Sequence, residues 1–321
     1  MNKTDKIYVA GHRGLVGDAV FRRLQSAGFH NLVTRSHADL ELMDEAAVAA
    51  FFATEKPQHV VLAAARVGGI LANSIYPAEF IRENLFVQTN VIHQAYVHGI
   101  ERLLFLGSSC IYPRECPQPI REEYFMTGPL EKTNSPYAVA KIAGVEMCHA
   151  YNRQYGTRYV CVMPTNLYGR ADNFNAQTSH VLPAMIRKFH EGKVFNKPVV
   201  LWGTGAPKRE FLHVDDMAEA CLHIMSQTED GLADLFTPDA PPLINIGCGE
   251  DLTIMELSQL VAEVSGYEGQ VQWDHSKPDG TFRKLLDVSR LRALGWQPMI
   301  PLRAGIQQVY EWFQEACSVK Q

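Results

Sequence analysis

The sequence lacks long apolar runs, an excess of basic charge and paired cysteine spacings. No segment approaches the roughly 20 apolar residues that a membrane span requires. Acidic residues outnumber basic ones by 35 to 30, which disfavours binding to nucleic acid through phosphate contacts. The 7 cysteines form no Cys-x-x-Cys pair and follow no recognisable secretory leader. We therefore expect a cytoplasmic protein with neither a membrane partner nor a metal site.

The remaining composition is that of an ordinary globular protein. Hydrophobic residues make up 46% and charged residues 20% of the 321 positions, and there is no internal repeat. This length suits one large domain or two modest ones. Short apolar runs alternate with helical patterns, which predicts an α/β fold with a doubly wound, Rossmann-type parallel sheet.

A glycine-rich turn follows the first predicted strand, Lys6–Ala10. A tight turn without side chains lets the backbone approach a pyrophosphate, and the helix that follows offers unpaired N–H groups to it. At the first strand–helix junction this pattern indicates a dinucleotide. The predicted contacts are Gly11, His12, Arg13, Gly14, Leu15, Val16 and Gly17.

The end of the second predicted strand, Asn31–Thr34, bears on which dinucleotide is bound. An acidic residue there would suit the ribose 2′-hydroxyl of NAD, but Arg35 stands at this position. Together with Arg13 it offers two guanidinium groups, which suit the 2′-phosphate of NADP(H). The nearby acids Asp39 and Glu41 weigh against this choice.

The fourth predicted strand, Leu103–Leu106, breaks at Gly107 into Ser108, Ser109 and Cys110. Ligands of open α/β sheets bind beyond the carboxyl ends of the strands, so these side chains are expected at the ligand crevice. An ordinary strand-to-loop transition with a buried thiol is the alternative.

A tyrosine and a lysine lie four residues apart on the next predicted helix. Tyr137 and Lys141 therefore project from the same helix face. An ammonium group near a phenol favours the phenolate, so Tyr137 could exchange a proton with a substrate carbonyl. Such pairs also occur by chance on solvated helices, and the preceding Ser108 makes this one informative.

The glycine turn, Ser108 and the Tyr137–Lys141 pair together resemble the extended short-chain dehydrogenase/reductases. Across nearly the whole chain the closer resemblance is to the family of GDP-L-fucose synthases. It is carried by GHRGLVG at 11–17, LAAARVGGILAN at 62–73, LGSSCIYP at 106–113, EKTNSPYAVAKIAG at 131–144, MPTNLYG at 163–169, SHVLPA at 179–184, REFLHVDDMA at 209–218 and KPDGTFRKLLDVSRL at 277–291.

This resemblance implies epimerisation at C3 and C5 of GDP-4-keto-6-deoxy-D-mannose, followed by NADPH-dependent reduction at C4. Cys110 and His180 would be the epimerisation base and acid, and Ser108, Tyr137 and Lys141 would serve the reduction. The implied cofactor site adds Asp39, Leu40, Ala63, Ala64, Ala65, Leu106, Gly107, Pro164, Asn166, Leu167 and His180. The implied substrate site comprises Ser108, Ser109, Cys110, Asn166, Arg187, Trp202, Arg209, Asp279, Arg283 and Lys284.

We expect residues 1–165 to bind NADP, with a segment near 209–225 returning to this domain, and a smaller α/β lobe of residues 166–321 to hold the GDP-sugar. Helices at 77–98 and 136–155 could pair in a homodimer, as the resemblance implies. Phe282, where the family more often has proline, and Glu41 depart from its pattern. Alternatives are another sugar-nucleotide epimerase or 4-keto reductase, and a non-catalytic NADP(H) sensor.

Overall fold

The computed structural model describes residues 1–100, 102–175, 178–277 and 279–318. Its strands are β1 (Ile7–Ala10), β2 (Leu32–Val33), β3 (His59–Leu62), β4 (Arg102–Leu106), β5 (Arg158–Pro164), β6 (Asn166–Tyr168), β7 (Val199–Trp202), β8 (Lys208–Arg209), β9 (Phe211–His213), β10 (Leu243–Ile246), β11 (Leu252–Thr253), β12 (Val271–Asp274) and β13 (Arg283–Lys284). Its helices are α1 (Leu15–Ser26), α2 (Glu45–Glu55), α3 (Ile70–Ile75), α4 (Pro77–Val97), α5 (Ser135–Tyr155), α6 (Val181–Phe195), α7 (Val214–Ser226), α8 (Ile254–Ser265), α9 (Ser289–Ala293) and α10 (Leu302–Ser318).

A six-stranded parallel sheet in the order β10-β5-β4-β3-β1-β2 forms the centre of the fold. Successive residues of its strands face opposite sides. Leu104 packs with α1 and α7 on one face, whereas Leu103 and Phe105 pack with α2, α4 and α5 on the other. Burial on both faces explains why these strands are continuous apolar runs. The predicted doubly wound sheet is confirmed.

The predicted elements agree with the observed ones to within a few residues at their ends. The second strand is the shortest of the sheet, Leu32–Val33 rather than 31–34. Helix α7 packs on α1, as expected for a segment returning near residues 209–225. Strand β10 also returns to the sheet beside β5, a feature that the sequence did not suggest. The division of the chain at residue 165 stays a prediction.

The second lobe has its own apolar core between α6, α8 and α10. Its small sheet has the order β11-β8-β13, and the segment that follows β13 forms a parallel bridge from Leu286 to Ile120. Of the helices in the described ranges, none is both long and apolar enough to cross a lipid bilayer.

Candidate active site

The glycine turn at the end of β1 is packed too tightly for side chains. Gly11 has a φ of +85°, and a Cβ there would lie 2.6 Å from the Ala64 nitrogen. A Cβ on Gly17 would lie 2.1 Å from the Gly11 carbonyl oxygen. No side chain caps α1, and the buried Nδ1 atom of His12 has no partner in the described part of the chain. These features fit a bound dinucleotide, because the backbone donors and the imidazole are left for a ligand.

Arg35 is already engaged beside the dinucleotide turn. Its guanidinium donates a 2.8 Å hydrogen bond to the Thr34 carbonyl oxygen, lies 5.4 Å from the centre of the Phe51 ring and pairs with Glu55. Lys6 also contacts Glu55, at 3.4 Å. A 2′-phosphate would therefore share Arg35 with an existing carboxylate partner.

Asp39 lies within the electrostatic reach of both predicted phosphate-binding arginines. Hydrogen bonds from Ser36 hold its pKa below the usual value, and the charges of Arg13 and Arg35 add to this effect. The charges of Arg13 and Arg35 thus both act on Asp39, near the end of the second strand, where the adenosine ribose is expected.

Beyond β4 the chain turns sharply and buries the thiol. Gly107 donates to the Val162 carbonyl oxygen at 2.9 Å, and a Cβ on it would meet Met163 at 2.1 Å. Residues 109–111 then form a 3₁₀ turn, capped by Ser108, whose hydroxyl accepts from the Cys110 amide at 3.4 Å. Cys110 is 7% exposed, so this short helical turn buries the thiol.

Helix α5 places Tyr137 and Lys141 against this turn. The Lys141 side chain is buried; its Nζ atom lies 5.9 Å from the centre of the Tyr137 ring and donates to the Leu106 carbonyl oxygen at 2.7 Å. Burial lowers the pKa of Lys141 to about 8. Burial and the neighbouring Cys110 raise the pKa of Tyr137, against a hydrogen bond with Ser108. This direction is opposite to the one that the Tyr–Lys spacing suggested, because burial of the phenol disfavours the phenolate.

A second lysine approaches the same thiol from the other lobe. Strand β13 pairs with β8 in parallel, and Lys284 lies opposite Arg209 in this register. Burial raises the pKa of Cys110, and the charge of Lys284 is the largest opposing effect, followed by the Ser108 hydrogen bond and by Lys141. The charge of Lys284, which was predicted as a substrate contact, thus also acts on the thiol of Cys110.

His180 immediately precedes α6, as predicted. The chain just before it lies against Gly69, whose amide donates to the Thr178 carbonyl oxygen at 3.3 Å. The Phe80 ring, which lies next to the same glycine-rich segment, contacts the Tyr137 ring edge-on at 6.2 Å between centroids. His180 is open to solvent on one side, and desolvation by the surrounding protein lowers its pKa.

Several predicted substrate residues are held by protein partners. Arg283 pairs with Asp251 at 2.5 Å, and Arg187 pairs with Glu191 at 2.6 Å. Other contacts fix Asp279, which accepts a 2.7 Å hydrogen bond from the Thr204 hydroxyl, and Asn166, which donates at 2.8 Å to the Glu210 carbonyl oxygen. Trp202 is 63% exposed, and the ammonium groups of Lys188 and Lys277 each lie 5.7 Å from its ring.

Glu210 is a central residue of this region that the sequence analysis missed. It is fully buried, and its carboxylate accepts from the Gly249 amide at 2.7 Å and from the Leu286 amide at 3.0 Å. It therefore links β8 to the segment after β13. The sequence held a signal for this burial, because Glu210 lies between Arg209 and two apolar residues. Side chains alternate along a strand, so the Glu210 carboxylate faces away from the Arg209 side chain.

Comparison with known proteins places the chain in a family. Residues 7–247 match the NAD dependent epimerase/dehydratase family. The chain belongs to this family. GDP-L-fucose synthase of Escherichia coli (strain K12) is 52% identical to this chain over 314 residues, which cover 97% of each protein. GDP-L-fucose synthase 1 of Arabidopsis thaliana is 55% identical over 313 residues, 97% of this chain and 94% of the relative.

A solved structure of the same shape comes from Campylobacter jejuni. It is a GDP-D-glycero-L-gluco-heptose synthase in the presence of NADPH, with a TM-score of 0.91 and 37% identity over 98% of this chain and 99% of its own. The family resemblance predicted from the motifs is confirmed. The roles of the individual site residues stay predictions.

Proposed function

We propose that this epimerase/dehydratase family member converts GDP-4-keto-6-deoxy-D-mannose to GDP-L-fucose, by epimerisation at C3 and C5 and reduction at C4. The observation that carries the proposal is the buried Cys110 thiol in the 3₁₀ turn that follows Ser108, beside Tyr137 and Lys141. A reductase without epimerase activity needs no such base. Relatives at 52% and 55% identity are named GDP-L-fucose synthases, which supports this substrate over the heptose of the 37% identical structure.

NADPH is the cofactor that the site fits. The backbone of the glycine turn would hold its diphosphate, and Arg13 and Arg35 would hold its 2′-phosphate. When bound, it supplies the hydride for C4 of the sugar. The Campylobacter structure, determined in the presence of NADPH, supports this choice.

Epimerisation rests on an acid and a base on opposite sides of the sugar. The 4-keto group acidifies the hydrogens on C3 and C5. The Cys110 thiolate removes one of them, forming an S–H bond while the C–H electron pair moves onto O4. Hydroxyl groups of Ser108 and Tyr137 donate to this oxyanion. His180 then returns a proton to the same carbon from the other face, and solvent resets both groups.

Reduction uses Tyr137 as a proton donor to O4. Because the pKa of Tyr137 is raised, its phenol keeps the proton until O4 gains negative charge. Lys141, with a pKa of about 8, is largely an ammonium group at neutral pH. Its charge stabilises the phenolate that forms when Tyr137 gives up its proton.

The second lobe would hold the GDP part of the substrate. Arg209 and Lys284 lie opposite each other on adjacent strands and offer two cations to the diphosphate. Trp202 offers an exposed ring for the base. Since Arg283 and Arg187 already have carboxylate partners, they would contact substrate only through their remaining N–H groups.

We also propose a homodimer in the cytoplasm. Helices α4 and α5 pack together and expose apolar side chains, among them Phe86, Val97 and Tyr155. A two-fold pairing of these helices would cover them. A reducing compartment suits the mechanism, since Cys110 acts only as a thiol or thiolate.

Incubation with GDP-4-keto-6-deoxymannose and NADPH in heavy water tests the proposal. The expected product is GDP-fucose with deuterium at C3 and C5. Cys110→Ser should abolish this incorporation, whereas Cys116→Ser, a change at the neighbouring half-buried thiol, should not. Reduction without deuterium at either carbon would instead indicate a simple 4-keto reductase.

A further inference from the structure

Asn245, in the edge strand β10, has a completely buried side chain with partners on three other segments. Its side-chain oxygen accepts a 2.6 Å hydrogen bond from the Tyr112 hydroxyl. Its NH₂ group donates to the carbonyl oxygens of Ile120 at 2.9 Å and of Asp287 at 3.1 Å. The oxygen and both hydrogen atoms of this amide are therefore engaged, although the proposed mechanism gives Asn245 no role.

Tyr112 connects Asn245 to the turn that carries the thiol. It directly follows the 3₁₀ turn of residues 109–111, two positions after Cys110, and its side chain is buried. The Ser108 hydroxyl holds the start of this turn by accepting from the Cys110 amide at 3.4 Å. The hydrogen bond from Tyr112 to Asn245 holds its end.

The two donor contacts of Asn245 lead to the segment that follows β13. Asp287 lies in this segment, three residues after Lys284. Ile120 pairs with it, because the Ile120 amide donates to the Leu285 carbonyl oxygen at 2.7 Å and the Asp287 amide donates to the Ile120 carbonyl oxygen at 2.8 Å. One side-chain amide thus joins the turn of the proposed base to the strand of a proposed diphosphate contact.

The position of Asn245 itself is fixed by its backbone. Strand β10 pairs with β5 in the central sheet, and the Asn245 backbone amide donates to the buried Glu122 carboxylate at 3.0 Å. A buried amide side chain without partners is unfavourable, so the three segments are most stable where this amide can reach them.

We propose that Asn245 is a positioning residue, which holds the turn of Cys110 in place through the Tyr112 hydroxyl. This inference rests on the proposed function, in which the Cys110 thiolate is the base of epimerisation. Asn245 exchanges no proton with the sugar and acts only through Tyr112. Loss of the hydrogen bond should let the turn open and displace the thiol.

Alkylation of Cys110 by iodoacetamide measures how firmly the turn is held, in the chain without ligands. Because the thiol is buried, the reagent reaches it mainly when the turn opens. Tyr112→Phe removes the hydrogen bond, so the rate at Cys110, followed by peptide mass spectrometry, should rise about tenfold. The rate at Cys221, a buried thiol of α7, reports opening of the whole chain in the same sample.

Tyr159→Phe is the matched control. The Tyr159 side chain is also buried, and its hydroxyl donates at 3.0 Å to the carbonyl oxygen of Ile100, which precedes β4 at the end opposite Cys110. This variant loses a similar hydrogen bond and should leave the rate at Cys110 unchanged. A rate in Tyr112→Phe equal to that of the wild-type chain, or an equal rise in Tyr159→Phe, would overturn the inference.

Kinetics in heavy water separate the position of the base from substrate binding. Tyr112→Phe keeps the two donor contacts of Asn245, so deuterium entry at C3 and C5 should slow several-fold while KM stays the same. Asn245→Leu removes all three contacts, so KM should rise as well; if this variant does not fold, Tyr112→Phe carries the test.

An unchanged rate of deuterium entry in Tyr112→Phe, or a change in KM alone, would contradict the role of Asn245. If the wild-type chain incorporates no deuterium, the proposed function fails. The alkylation rates still report in that case whether Asn245 holds the turn, so the two failures can be told apart.

Discussion

The Nζ atom of Lys141 donates a 2.7 Å hydrogen bond to the carbonyl oxygen of Leu106, the last residue of β4. Ser108 follows two residues later, and Tyr137 lies one helical turn before Lys141. This bond therefore ties the helix that carries the phenol to the strand that delivers the serine. It also keeps a charged group within the buried sheet edge, at a cost that is visible in its lowered pKa.

The buried ammonium of Lys141 should make stability depend on pH. Its pKa is about 8 in the folded chain and 10.5 as the ordinary value, so the unfolded chain binds more protons between these values. The free energy of unfolding from this group should rise with pH in that window. Between about pH 7 and 9 the gain is on the order of 1 kcal/mol.

Urea unfolding of the wild-type chain and Lys141→Met at both pH values isolates this effect. The wild-type chain should gain stability relative to the variant as pH rises. Lys197→Met, at an exposed lysine, should show no such trend. A difference between wild type and Lys141→Met that is independent of pH would contradict the assignment of the pKa.

Tyr137→Phe should separate the two half-reactions. Without the phenol there is no proton donor to O4, so reduction should slow by about 10²-fold or more. Ser108 still donates to the oxyanion, so some deuterium should enter C3 and C5 in heavy water. NADPH oxidation and mass analysis of the recovered sugar give the two rates, and Tyr155→Phe, at a partly exposed residue, is the control. Full NADPH turnover in Tyr137→Phe would remove the phenol from the mechanism.

Much of the fold could be predicted because the sequence pattern of each helix or strand agrees with its position in the folded chain. The run Leu103–Leu106 is apolar because helices cover both faces of the sheet. Residue 11 must be glycine because a Cβ there would lie too close to the backbone of Ala64. The short second strand was predicted too long, since only Leu32–Val33 pair with β1. Edge strands have few sheet partners to define their ends.

The contacts between distant segments could not be predicted in the same way. Lys284 lies opposite Arg209, 75 positions away in the sequence, because β13 pairs with β8. Strands of two residues carry too little periodicity to reveal this pairing. The carboxylate oxygens of Glu210 likewise accept hydrogen bonds from backbone amides, and a pattern of side chains cannot predict such partners. The motifs predict the site residues, and the strand register decides what each of them contacts.

Gly17→Ala should destabilise the chain and weaken cofactor binding. The added Cβ would lie 2.1 Å from the Gly11 carbonyl oxygen, so the turn must open. Overpacking of this kind costs about 1–3 kcal/mol. Gly14→Ala is the control for unfolding measured without cofactor, because its Cβ would lie 3.4 Å from the same oxygen. Equal thermal stability of both variants would show that the turn tolerates a side chain at residue 17.

Arg35→Ala should weaken the binding of NADPH far more than that of NADH. A lost charge-assisted contact to the 2′-phosphate corresponds to about a tenfold rise in dissociation constant, and NADH has no such group. Fluorescence titration with both cofactors gives the ratio. Arg23→Ala, which removes an arginine paired with Glu219, should leave it unchanged. Parallel losses for both cofactors would instead assign Arg35 a structural role with Glu55.

Glu210→Gln should lower stability and raise KM for the sugar nucleotide together. The carboxylate accepts from Gly249 and Leu286 through separate oxygens, whereas an amide has one acceptor and turns an NH₂ group toward the other donor. An unsatisfied buried donor costs about 1–3 kcal/mol. The segment that loses the hydrogen bond to Glu210 includes Lys284, so the proposed contact between Lys284 and the substrate diphosphate should weaken.

Thermal unfolding and steady-state kinetics of Glu210→Gln measure these effects, with the same substitution at exposed Glu250 as the control. If Glu210 only stabilises the fold, KM below the melting transition should equal that of the wild-type chain. If it also aligns β13 with β8, KM should rise at temperatures where the variant is fully folded. The second outcome is expected, because Glu210 directly follows Arg209 and its carboxylate accepts from the amide of Leu286, two residues after Lys284.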